Sequence, residues 1–155
     1  MIVLTTSRDP SRRTRSFCRV ISRFMNWRYV QRGKTSLESI LNEFENVVVV
    51  KEIKGNPSFM DFYRNGEREM TWRMNVGVIR REKMDDSHVY FAGKVDFDPL
   101  LLGALPKIDA GERFVQRTKP KKIVHARGGR LEFRYGKKPV LTMKVLRIHE
   151  GHNKD

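Results

Sequence analysis

The chain has 155 residues, 39% of them hydrophobic, which suffices for one compact core and is too short for two ordinary domains. A formal charge of +14 and a pI near 10.3 would make the molecule repel itself, so the excess is expected to serve a polyanion, with nucleic acid the default partner. No run of eighteen apolar residues exists, the apolar start Met1–Thr6 meets Arg8 and Asp9 too soon for a secretory leader, and the single Cys18 excludes an internal disulfide; a reduced cytoplasmic home and no membrane partner are expected.

In chain order, Ile2-Val3-Leu4 is a short β-rich run, and Asp9-Pro10 offers a helix N-cap with proline at the first helical position. From Ser11 to Met25, Phe17, Val20, Ile21 and Phe24 recur at spacings of three and four while Arg12, Arg15, Arg19 and Arg23 line another face, which predicts an amphipathic helix with a basic outer side. Trp27 to Val30 alternates like a strand, and Ser36 opens a second helix through Leu37, Ile40, Leu41 and Phe44. Asn46 to Lys54, with four consecutive valines, reads as a buried strand turned at Gly55-Asn56-Pro57. Strands are expected over Phe59–Arg64, Met70–Arg80 and His88–Val95. A short helix over Asp98–Leu105, capped by Asp98 and ended by Pro106, should follow. Arg113–Gln116, Ile123–Ala126, Leu131–Tyr135 and Val140–Ile148 complete a β-rich finish, turned at Gly128-Gly129 and Gly136-Lys137-Lys138.

The charge is unevenly placed. Residues 1–34 carry nine Lys/Arg against Asp9 alone, residues 113–147 carry twelve against Glu132 alone, and residues 35–112 are net acidic. Two basic regions flanking an acidic middle suit a binding face better than general solubility. One octapeptide recurs across them: Trp27–Lys34 aligns without gaps on Glu112–Lys119 with five identities, and Val48–Asn56 has a counterpart in Ile123–Gly129, which suggests two related halves. Guanidinium groups fit phosphate bidentately and glutamine can bond a base edge or 2′-OH, so Arg28, Gln31, Arg32 and Lys34, with their matches Arg113, Gln116, Arg117 and Lys119, are candidate RNA contacts. The alternative for each copy is an edge strand with a solvated basic side; Tyr29 and Phe114 read as core residues.

Arg8, Arg12 and Arg13 stand at a helix N-terminus, where an anion is favoured but Asp9 is expected to take the amides, leaving phosphate to the arginines. Lys121 and Lys122, with Lys119 around Pro120, form a second phosphate-binding patch or a solvated charge run. Enzymatic signals are poor. Asp85, Asp86, Asp96 and Asp98 could be gathered for a two-metal nuclease, although turn and cap roles explain them better. His88, His125, His149 and His152 lack metal-ligand spacing, and no P-loop, dinucleotide fingerprint or hydrolase elbow appears. No catalytic residue, metal, cofactor or small-molecule substrate is called for.

The opening Leu4-Thr5-Thr6-Ser7-Arg8-Asp9-Pro10-Ser11, with Arg13 after it, resembles the start of the Brix-domain proteins of ribosome biogenesis. Val30–Gly33, Val47–Pro57 and Pro139–Ile148 are similar to further family segments, so the resemblance spans nearly the whole chain. It implies an α/β fold of two similar halves from internal duplication, each like the anticodon-binding domain of class II aminoacyl-tRNA synthetases. The division is one domain over 1–155, with halves near 1–85 and 86–150 and a short polar tail at 151–155. The resemblance further implies pre-rRNA processing and subunit assembly, with ribosomal RNA or pre-rRNA and ribosome-assembly proteins as partners. The nearest branch is that of the small-subunit processome, and the length suits an archaeal member. Two departures stand out. A family P-Y-G-P-T tract is replaced by Tyr63–Arg68, and the arginine of a family G-P-R is missing at Lys138-Pro139-Val140, so RNA contact there falls to Lys137, Lys138 or Lys144. The rival reading from sequence is a protein-docking module whose basic patches meet an acidic partner.

Overall fold

The computed structural model describes residues 1–106 and 120–150. Among them, ten strands join one mixed sheet in the order β2-β1-β3-β4-β5-β10-β9-β8-β6-β7. The first five are β1 (Ile2–Thr6), β2 (Arg28–Tyr29), β3 (Asn46–Ile53), β4 (Asn56–Arg64) and β5 (Glu67–Ile79). The others are β6 (Val89–Ala92), β7 (Leu105–Pro106), β8 (Lys122–Arg127), β9 (Arg130–Tyr135) and β10 (Lys138–Glu150). Two helices, α1 (Arg12–Met25) and α2 (Leu37–Glu43), and one 3-10 turn, Pro99–Leu102, complete the described elements.

The pairing pattern reads alike from both edges. β1 is parallel to β2 and β3, and β6 is parallel to β7 and β8; hairpins β3-β4-β5 and β8-β9-β10 follow, and antiparallel β5 and β10 join the two sets. The strand opposite β2 in this pattern is Leu105–Pro106. The second copy of the octapeptide, with Arg113, Gln116, Arg117 and Lys119, lies outside the described residues. Among the described residues, the two edge strands, β2 and β7, hold two residues each.

The valine run of β3 explains the layering. Val48 and Val50 face a large core with Leu4, Met60, Trp72 and the apolar side of α1, whereas Val47 and Val49 face a smaller cluster with Ile40 of α2. Alternate side chains of one strand thus bury against a helix on each face. α1 also crosses the β5–β10 seam. The Arg13 guanidinium donates to the carbonyls of Val76 and Gly77 at 2.9 and 3.0 Å, and Phe24 meets Phe133 of β9 edge-on at 5.3 Å. Trp27 adds a tie by donating its indole N–H to the Leu102 carbonyl at 2.9 Å.

Several boundaries differ from expectation. The N-cap of α1 is Ser11, whose hydroxyl accepts from the Thr14 amide; Asp9 sits before it at φ 52°, in a left-handed turn. The Glu52 carboxylate, arriving from β3, accepts from the Ser11 amide at 3.2 Å and from the Thr14 hydroxyl, so a distant acid and not Asp9 answers the helix dipole. Strand β2 is shorter than Trp27–Val30 because Trp27 turns inward. The expected Asp98–Leu105 helix is one 3-10 turn, capped by Asp98 and ended by Gly103 at φ 77°, after which Leu105–Pro106 forms β7. Strand β6 stops at Ala92 because Gly93, at φ 100°, lies so close to the Ala126 carbonyl that a Cβ would fall 2.1 Å from its oxygen.

Candidate nucleic-acid interface

α1 covers one face of the sheet, and α2 covers only the β3 region of the other. Among the described residues, the rest of that second face is open, and its strand register sets like charges directly opposite one another. Arg127 pairs with Arg130 across the β8–β9 turn, Arg130 with Lys144 across β9–β10, and Arg147 with Arg73 across β10–β5. The neighbours Ala126, Leu131, Val145 and Ile148 face the large core, which fixes the direction of these basic side chains. Arg127, Arg130, Lys144 and Arg147 are exposed. Arg73 is half-buried, its guanidinium 5.1 Å from the Phe59 ring centre and donating to the Ser58 and Met74 carbonyls.

Directly opposed like charges destabilise a sheet by a few tenths of a kcal/mol or more per pair. Three such pairs in one surface form a positive field that phosphates would relieve. Glu132 does not cancel it, since its carboxylate accepts from Arg134 on its own strand.

The residues singled out from sequence divide sharply. Arg8, Arg12, Arg28, Gln31, Lys34, Lys137 and Lys144 are exposed. Arg28 lies 5.6 Å over the Phe44 ring. Others serve the fold. Arg13 is tied to β5 as described, and half-buried Arg32 donates to the Thr6 and Thr35 carbonyls at 3.0 and 2.6 Å, holding the loop after β2 against the end of β1. Lys121 pairs with Asp85 at 3.1 Å, and Lys138 with Glu82 at 3.1 Å.

Lys122 corrects the expected phosphate patch. It is 0% exposed, and its ammonium donates inward to the Arg23 carbonyl at 3.1 Å and to Asn26 Oδ1 at 2.8 Å, closing the last turn of α1. Burial pushes its pKa below the usual lysine value. A lysine so placed is a C-terminal helix anchor and does not reach a ligand.

The carboxylates considered for a nuclease stand apart in role. Asp85 accepts from the Ser87 amide and hydroxyl and from Lys121, bonds that hold its carboxyl far below the ordinary range, while Asp98 caps the 3-10 turn. Among the described residues, no three His, Cys, Asp or Glu side chains stand close enough to hold a metal ion. No described helix is long and apolar enough to cross a membrane.

Sequence reasoning missed Arg73, Arg127, Arg130 and Arg147 as one surface. A signal for half of it was present, because a two-residue turn at Gly128-Gly129 must set Arg127 against Arg130. The rest depends on two irregularities of β10, between Leu141 and Met143 and between Val145 and Arg147, which shift the alternation of faces.

Relatives fit this architecture. A probable Brix domain-containing ribosomal biogenesis protein of Archaeoglobus fulgidus is 38% identical over 148 residues, covering 96% of this chain and 97% of the relative. The chain belongs to the Brix-domain family. Another family member, from Methanothermobacter thermautotrophicus, is 53% identical over 70 residues, covering 43% of this chain and 45% of that one. Among solved structures, the Brix-domain chain resembles Mil, an archaeal Imp4-like protein, with TM-score 0.73 and 26% identity over 96% of this chain and 99% of the other. A probable ribosomal biogenesis protein from Aeropyrum pernix K1 shares the fold with TM-score 0.56 and 21% identity, over 97% of this chain and 96% of that one. No protein-family model matches the sequence.

Proposed function

We propose that this Brix-domain protein is a non-catalytic ribosome-assembly factor that holds ribosomal RNA on the open sheet face formed by β5, β10, β9 and β8. The observation that carries the reading is the register of that face, which sets Arg127 on Arg130, Arg130 on Lys144 and Arg73 on Arg147. Three mutually repelling pairs form a positive field that a polyanion would offset, and a basic, largely polar sheet face suits phosphate tracking. The exposed cations Arg8, Arg12, Arg28, Lys34 and Lys137 extend the positive field beyond that face, and exposed Gln31 adds a hydrogen-bonding amide. Family membership supports the ribosomal part of the reading, since the relatives are ribosomal biogenesis proteins.

The same reading takes the chain as one domain of two related halves meeting at β5 and β10. The mirrored pairing pattern supports it. Ultraviolet crosslinking of the protein to a pre-rRNA fragment, followed by peptide mapping, tests the RNA reading. Crosslinks should concentrate in residues 127–147, with the RNA left intact in Mg²⁺ or Mn²⁺. Crosslinks confined to α1 and the β2 edge, or metal-dependent cleavage of the RNA, would overturn it.

A further inference from the structure

A second surface carries the opposite sign. At the end of the sheet where β1 and β3 begin and β4 ends, a groove of about 780 Å³ runs between the strand ends and the 3-10 turn. Its apolar wall includes Ile2, Leu100 and Leu101, and the two leucines are 58% and 42% exposed. They are held out by a fixed support. Pro99 and Leu102 are buried on the inner side of the turn, Asp98 Oδ1 accepts from the Leu100 amide at 3.0 Å, and the Trp27 indole fastens the Leu102 carbonyl. Gly103 ends the turn against Ile2, whose Cδ1 lies 3.7 Å from the site of an added Cβ.

Among the described residues, the groove is lined by four carboxylate residues, Glu45, Glu69, Asp98 and Glu150, against a single cation, Arg64. That cation is already bonded to Glu69 at 2.9 Å. In a chain of +14, a locally negative apolar groove repels the phosphates that the basic face would attract. Exposed leucines on a rigid turn are costly to hydrate and form suitable anchor contacts, and the surrounding carboxylates select a cationic ligand.

We propose that this groove docks a basic, amphipathic segment of a partner protein, with apolar side chains set against Leu100, Leu101 and Ile2 and Lys or Arg side chains set against Glu45, Asp98 and Glu150. The proposal is independent of the RNA reading, because no basic residue of the open face lines the groove. It also reverses the charge logic of a docking module that meets acidic partners through basic patches.

The test uses the full chain and a fluorescent peptide of about five helical turns built only from leucine and lysine, with the leucines on one face. Controls are a scrambled peptide of the same composition and a leucine-glutamate peptide of the same pattern. Anisotropy should show saturable binding of the patterned leucine-lysine peptide alone. Leu100→Ser with Leu101→Ser, and separately Glu45→Gln with Glu150→Gln, should each weaken it about tenfold. All four positions are exposed, and circular dichroism checks the fold. RNA binding measured on the same variants should be unchanged, so failure of this proposal and failure of the RNA reading are told apart. Equal binding of the scrambled or acidic peptide, or unchanged affinity in both double variants, overturns the proposal. So does concentration-dependent self-association lost in the leucine variant, since the occupant would then be a second copy.

Discussion

Replacing Arg127, Arg130 and Lys144 together by Thr separates binding from folding, because the two effects have opposite sign on the open face. Each of the three cations is exposed and can neutralise one phosphate. The parent protein, making roughly four to seven phosphate contacts, should show a log-log salt slope of about −3 to −5 on single-stranded RNA. Loss of three contacts at ~0.7 each lowers that slope by about 2, so the affinity advantage of the parent shrinks roughly 20-fold between ~50 and ~200 mM salt. Stability moves the other way. The substitution removes the Arg127–Arg130 and Arg130–Lys144 repulsions, about 0.2–1 kcal/mol per pair, and threonine suits a strand. The triple variant should therefore unfold at equal or higher urea concentration than the parent. Fluorescence anisotropy at several salt concentrations and urea denaturation measure the two quantities. As a comparator, Arg8→Ser, Lys34→Ser and Lys137→Ser remove three exposed cations elsewhere in the basic segments. An unchanged slope in the threonine variant, with the loss appearing in the comparator, would refute the reasoning from strand register.

Further outcomes follow from single positions. Gly93→Ala should destabilise the protein by about 2–4 kcal/mol in urea denaturation, since its Cβ would meet the Ala126 carbonyl oxygen at 2.1 Å in a left-handed backbone. At Glu52, burial raises the carboxyl pKa but bonds from Thr14 and Ser11 outweigh it and lower the net value, so its contribution is present above the ordinary value of 4.5 and lost as pH falls through the lowered one. Glu52→Gln should cost about 1 kcal/mol at neutral pH and flatten acid unfolding followed by circular dichroism. Lys122→Met should cost about 1–3 kcal/mol through the Arg23 carbonyl and Asn26 amide left without their donor, with the RNA salt slope unchanged. Burial lowers the Lys122 pKa, so the unfolded chain holds the extra proton as pH climbs toward 10.5. The stability difference between parent and Lys122→Met should widen in the parent's favour over that climb.

Local signals in the sequence carried much of the fold. The 3.6-residue apolar spacing of Phe17, Val20, Ile21 and Phe24 locates α1, and the hairpin turns at Asn65-Gly66 and Gly128-Gly129 follow from residues that tolerate positive φ. Long-range answers were not legible. Glu52 displaces Asp9 as the partner of the α1 N-terminus only because β3 returns beside it. Lys122 looks like its neighbour Lys121 in sequence, yet one is sealed beneath the end of α1 and the other is exposed. The open face was hidden for a related reason: the bulges of β10 decide whether Lys144 and Arg147 share a side, and bulges leave little trace in composition.

The seam between β5 and β10 has a consequence for synthesis. Both strands hold 13 residues, a span of about 44 Å, and Met70 near the start of one pairs with Glu150 at the end of the other. A ribosome delivers β1 to β5 first, and that half then carries β5 as a long bare edge until β10 has emerged. Such an edge is prone to pair with a neighbouring nascent chain. Glu67, Arg68, Glu69 and Arg73 along β5 place charged side chains on that edge during the wait, which discourages pairing with another chain. Closure of the seam therefore waits for β10, so a chain that stops before β10 is made exposes its error as an unpaired β5 edge.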